Sequence, residues 1–74
     1  MEILHTLSID ENDMYILTGD SSLPWLNLTQ QKGEHVYLQE HEVYEAIPNF
    51  DDLNMLVIDD LEYIIKTLAE YLPY

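Results

Sequence analysis

Apolar and polar residues alternate through the first half of the chain and recur every three or four positions through the second. Alternation sends successive side chains to opposite faces of a strand. Residues 2–9 (EILHTLSI) place Ile3, His5, Leu7 and Ile9 on one face. The polar group Asp10-Glu11-Asn12-Asp13 is a turn, and residues 14–18 (MYILT) are a second strand, so the pair predicts a hairpin. Residues 19–22 (GDSS) read as loop. After Pro24, residues 25–29 (WLNLT) alternate again, Gln30-Gln31-Lys32-Gly33 is a second hairpin turn, and residues 34–38 (EHVYL) are a fourth strand.

The period then changes. Residues 40–47 predict a short helix with Val43, Ala46 and Ile47 inward and His41, Glu42 and Glu45 outward, ended by Pro48. Residues 49–72 (NFDDLNMLVIDDLEYIIKTLAEYL) predict one long helix. At about 100° per residue, Leu53, Val57, Ile58, Leu61, Ile64, Ile65, Leu68, Ala69, Tyr71 and Leu72 share an arc of roughly 160°. Asn49 is its expected N-cap, Asp51 and Asp52 suit its first turn, and Pro73 stops it. Asp52, Asp59, Asp60, Glu62 and Glu70 form an opposing acidic ridge with Lys66 as its lone cation, and Leu56 and Tyr63 lie along that ridge. An alternative division makes residues 55–58 a short strand and begins the helix at Asp59, with Glu62 completing a capping box. The order ββββαα predicts an α+β fold: an antiparallel sheet of about four strands, followed by a short and a long helix packed on one face. Seventy-four residues make one domain, 1–74.

Charge changes the picture most. Fifteen acidic residues face two lysines and no arginine, a formal net charge of −13. Self-repulsion of that size opposes compaction, yet 47% of the residues are hydrophobic, so the chain is not a disordered acidic tail. A very salty cytoplasm would account for such a surface, but the large aliphatic residues argue against that origin. There is no cysteine to staple a small core by disulfide or metal. The small core, six tyrosines, and Leu56 and Tyr63 outside the apolar arc together predict a homodimer. The N-terminus MEILHTL lacks the basic and apolar regions of a secretory leader, and no apolar run approaches the roughly 20 residues of a membrane span. The expected location is the cytoplasm, away from anionic membranes and with no direct binding of nucleic acid.

The sequence carries no chemistry that needs a cofactor or a turnover site. His35, Glu40, His41 and Glu42 are near one another, but only His41 and Glu42 would share a helical surface, which does not make a tetrahedral zinc site. A calcium loop starting at Asp10 would need Gly and Glu where Tyr15 and Ser21 stand. No serine lies in a nucleophile elbow, and the two glycines are isolated from any phosphate loop. No enzyme activity, metal or cofactor is therefore expected.

What remains is the acidic surface itself. A 74-residue globule has a radius of gyration near 11 Å and a diameter of about 29 Å. Duplex DNA of that length carries roughly 17 charges, against 13 net here. A basic channel or groove that holds DNA attracts such a body by the same long-range field. The residues expected to meet it are Asp10, Glu11 and Asp13 in the first turn, Glu40, Glu42 and Glu45 on the short helix, and Asp52, Asp59, Asp60, Glu62 and Glu70 on the ridge. A small, cysteine-free, strongly acidic α+β chain resembles the phage-encoded DNA mimics, which include inhibitors of uracil-DNA glycosylase, anti-CRISPR and anti-restriction proteins. In size and acidity it is similar to the staphylococcal phage inhibitors of the bacterial sliding clamp. The chain lacks the clamp-binding peptide, a glutamine followed by a Leu/Phe pair. The resemblance therefore implies occupation of the clamp's DNA channel, in a bacterial host's cytoplasm, with DNA access blocked. The alternative function is that of an acidic adaptor or regulatory protein that binds one partner through an apolar helix face.

Overall fold

The computed structural model describes residues 2–10, 13–20 and 23–72. Four strands, β1 (Glu2–Asp10), β2 (Asp13–Asp20), β3 (Leu23–Gln30) and β4 (His35–Leu38), form one antiparallel sheet in the order β1-β2-β3-β4. Helix α1 (Glu40–Ala46), a 3-10 turn (Phe50–Asp52) and helix α2 (Ile58–Ala69) follow. The α+β fold expected from the sequence is the fold observed. The Cα radius of gyration is 11.3 Å and the principal extents are 31 × 23 × 22 Å.

Local chemistry explains the connections. The β3–β4 turn closes with the Gly33 N–H donating to the Gln30 carbonyl at 2.8 Å. Gly33 has φ +98°, a conformation that other residues adopt only with strain. Helix α1 begins at Gln39, whose backbone N–H donates to the Glu42 carboxylate at 3.2 Å, as in a capping box.

The core lies between the sheet and the helices. Leu17, Leu26, Leu28 and Leu38 rise from the sheet to meet Val43 and Ile47, and Leu61, Ile64, Ile65, Leu68 and Leu72. Helix α1 sits over β3 and β4, and α2 over β1 and β3. Gly19, expected in a loop, is instead a buried member of β2. A Cβ there would lie 2.9 Å from Leu4 Cδ1 and 3.2 Å from the Trp25 carbonyl oxygen. Its lack of a side chain is a packing requirement.

Two further expectations are corrected. First, Ile3 does not share the inward face with His5 and Leu7. Ile3 pairs with Thr18 while His5 pairs with Leu17, so Leu4 is an extra residue in β1. This bulge shifts the alternation: Leu4 and Leu7 pack on the core, and Ile3 is 65% exposed. The side chain of Ile9 lies outside the described residues.

Second, residues 49–72 are not one helix, nor is there a strand at 55–58. The 3-10 turn ends where Leu53 turns extended (φ −90°, ψ 148°), and α2 starts only after Val57. Side chains supply the partners a continuous helix would have supplied. The Asn54 amide oxygen accepts from the Leu56 N–H at 2.9 Å, and the Asp60 carboxylate accepts from the Asn54 N–H at 2.8 Å. The Val57 N–H donates to the Asn54 carbonyl at 2.9 Å and closes the turn. Of the expected apolar arc, Leu61, Ile64, Ile65, Leu68 and Leu72 are buried and Leu53 and Ala69 half-buried, whereas Val57, Ile58 and Tyr71 are exposed. Asn49 does precede the 3-10 turn, but its side chain makes no cap bond.

Candidate functional site

The helical layer collects the acids. Nine of the fifteen acidic residues fall between positions 40 and 70, with Lys66 the sole lysine or arginine there. They differ in what they are free to do. Glu40, Glu45, Asp52, Asp59 and Glu70 are exposed and have no side-chain partner among the described residues. Glu42 is turned back to the start of α1, and Asp60 holds the Asn54 turn. Glu62 Oε2 lies 3.6 Å from His5 Nε2, close enough for Coulomb attraction to a protonated ring but long for a hydrogen bond.

Of the first-turn group, Glu11 and the side chain of Asp10 lie outside the described residues. Asp13 accepts from Gln30 Nε2 at 2.9 Å and sits 3.9 Å from Lys32 Nζ. The structure brings Asp13 to Glu70, far apart in sequence, around an open cavity of about 360 Å³. Tyr15, Gln30, Lys32, Glu34, Ala69 and Leu72 complete its wall. Asp13 and Glu34 are thus drawn toward the C-terminal end of α2, while Asp59 and Asp60 mark its start.

Apolar groups stand among these carboxylates. Leu56 is 91% exposed at the tip of the Asn54 turn, with Val57 and Ile58 beside it and Asp59 next in the chain. Tyr63 is exposed further along α2. Asp51, which sequence reasoning placed in a helix turn and gave no contact role, accepts a hydrogen bond from the Tyr44 hydroxyl at 2.9 Å. That bond holds the Tyr44 phenol above its ordinary pKa, helped by partial desolvation and by the nearby charges of Asp51 and Glu40. Tyr44 also meets Phe50 edge-on at a centroid distance of 5.7 Å.

The sequence reading missed the exposed Val57-Ile58 pair, and with it the continuous apolar tip at residues 56–58. The available signal was Asn54, a residue prone to local side-chain turns, two positions before Leu56. Among the described residues, no group of three or more His, Cys, Asp or Glu could hold a metal ion, and no helix is long and apolar enough to cross a membrane. No protein-family model, no curated protein and no solved structure matches this chain.

Proposed function

We propose that this protein is a DNA mimic that occupies the DNA-binding channel or groove of a host DNA-handling protein and blocks DNA access. The single observation that carries this reading is the helical layer: nine carboxylates against one lysine on a body 31 Å long. Duplex DNA of that length carries roughly 18 charges, comparable to the net 13 here. Five of those carboxylates are exposed and uncommitted, so they are available to lysine and arginine side chains that otherwise meet phosphates. Leu56, Ile58 and Tyr63 add apolar contact that a phosphate backbone lacks, which favours a protein target over mere counter-ion binding. On this reading the protein acts by stoichiometric binding in the bacterial cytoplasm, without a cofactor and without binding nucleic acid itself. The sliding clamp is the leading target, since it surrounds DNA with a basic channel.

One observation favours a second reading, that of an adaptor. The apolar tip at residues 56–58 could anchor a partner that has no need of the acids. Salt separates the two. Immobilised protein is exposed to bacterial lysate and washed with rising salt, then with duplex DNA. The mimic reading expects a DNA-handling protein released by both, because exposed charge pairs are screened. Retention of a partner through high salt, unaffected by duplex DNA, would transfer the assignment to the adaptor.

A further inference from the structure

The sheet has a second face that no helix covers. Cross-strand pairs share a face, so the register places Ile3 with Thr18, Thr6 with Ile16, Thr18 with Asn27, and Asn27 with Tyr37 on the side away from α1 and α2. Trp25 stacks on Tyr37 there, with ring centroids 5.6 Å apart. Ile3 is 65% exposed, Tyr37 50% and Met14 43%. Among the described side chains of this face there is no Asp, Glu or Lys, in a chain whose formal charge is −13; the register also places the exposed His35 here, paired with Thr29, and the side chain of Asp20 lies outside the described residues.

We infer that this uncharged face is the contact between two copies of the chain. Electrostatics selects the occupant. A basic partner finds no described carboxylate to pair with here, and a second copy meets none among the described side chains. Back-to-back docking also points both helical layers outward and keeps their charges as far apart as the fold permits. A two-fold contact is self-complementary by construction. At about 3.3 Å per residue and about 4.8 Å between strands, strands of nine, eight, eight and four residues present roughly 460 Å² in projection. That is below the lower range of specific interfaces, about 600 Å² per partner, so the dimer is weak and forms reversibly with concentration. Leu56 and Tyr63, the contacts expected from sequence, flank Asp59 and Asp60 at the start of α2, where a second copy would press like charges together.

The inference has a sign that the proposed target binding does not share. Two like-charged bodies associate more tightly as salt screens them. Raising salt from about 0.1 M to about 1 M shortens the screening length from about 10 Å to about 3 Å and tightens the dimer on the order of a hundredfold. Sedimentation equilibrium on the wild type is expected to move from 8.7 kDa toward twice that mass as salt and concentration rise. Trp25, the sole tryptophan, becomes shielded from acrylamide quenching over the same range. Ile3→Glu and Tyr37→Glu each hold the protein monomeric, while Leu56→Ser leaves the dimer intact. If a variant loses its fold by circular dichroism, the wild-type quenching decides. A wild-type mass that stays at 8.7 kDa in about 1 M salt at about 1 mM protein overturns the inference. So does a dimer in which Trp25 stays fully quenchable, or one that Leu56→Ser dissolves. Capture of a DNA-handling target is read separately and weakens with salt, so either proposal can fail alone.

Discussion

On one side of the sheet the helical segment carries nine carboxylates and one lysine; on the other, the described side chains carry no Asp, Glu or Lys. A chain with net charge −13 could have spread its acids evenly over both sides. The sorting seen among the described side chains has two physical consequences. On the proposed reading, the acidic layer competes with DNA for a basic surface. The neutral layer leaves one approach where apolar contact does not have to overcome like-charge repulsion. The sheet core, shared by both layers, holds the two surfaces in a fixed relation.

The largest effect comes from cutting that shared core. Leu28→Ala or Ile64→Ala removes a fully buried side chain and is expected to cost about 3–5 kcal/mol, enough to unfold a domain this small. Urea denaturation reads this directly, and both surfaces should be lost together. Gly19→Ala places a methyl group against Leu4 and the Trp25 carbonyl, with an expected cost of about 1–3 kcal/mol. At roughly 4–8 °C per kcal/mol, that lowers Tm measurably while the fold persists.

Smaller effects separate the layers. Asn54→Ala removes the acceptor that shapes the Leu56 turn and is expected to cost about 1 kcal/mol. It should weaken target capture more than it weakens self-association. Added salt should raise Tm by a few degrees in the wild type, because it screens the self-repulsion of the acidic layer. The same titration should do less for a variant with Glu40, Glu45, Asp52, Asp59 and Glu70 made neutral. The smallest effect is local. Tyr44 titrates above the ordinary value because Asp51 holds its proton. The stabilisation it contributes is present below the unfolded phenol pKa, about 10, and is lost as pH rises through the higher folded value. In Asp51→Asn the ultraviolet titration of the phenol should fall back toward the ordinary range.

Much of this arrangement was legible in the sequence. Alternation located all four strands, and the 3.6-residue period located α1 and the buried stripe Leu61, Ile64, Ile65 and Leu68. What misled was an apolar arc that continues through Val57 and Ile58 although the helix does not. Periodicity records which residues would align on a helix. It is blind to side chains such as Asn54 and Asp60 that satisfy the backbone another way. The bulge at Leu4 is hidden for a similar reason: one extra residue reverses the face of every position before it. Among the acids, sequence could count charges but could not tell Asp59, which is free, from Asp60, which ties down a turn. The neutral sheet face was present in the alternation of Thr6, Ile16, Thr18, Asn27 and Tyr37. It gained meaning only when the register placed those residues side by side and the helices were found on the other side.

The most direct measurement compares two variants in one capture experiment. In the first, Glu40, Glu45, Asp52, Asp59 and Glu70 become Gln or Asn; in the second, Tyr37 becomes Glu. Each is immobilised, exposed to the same bacterial lysate and challenged with increasing salt and with duplex DNA. If the acidic layer stands in for DNA, the five-fold variant loses the DNA-competed partner and its steep salt dependence, while the Tyr37→Glu protein still captures that partner. Unchanged capture by the five-fold variant would contradict the account.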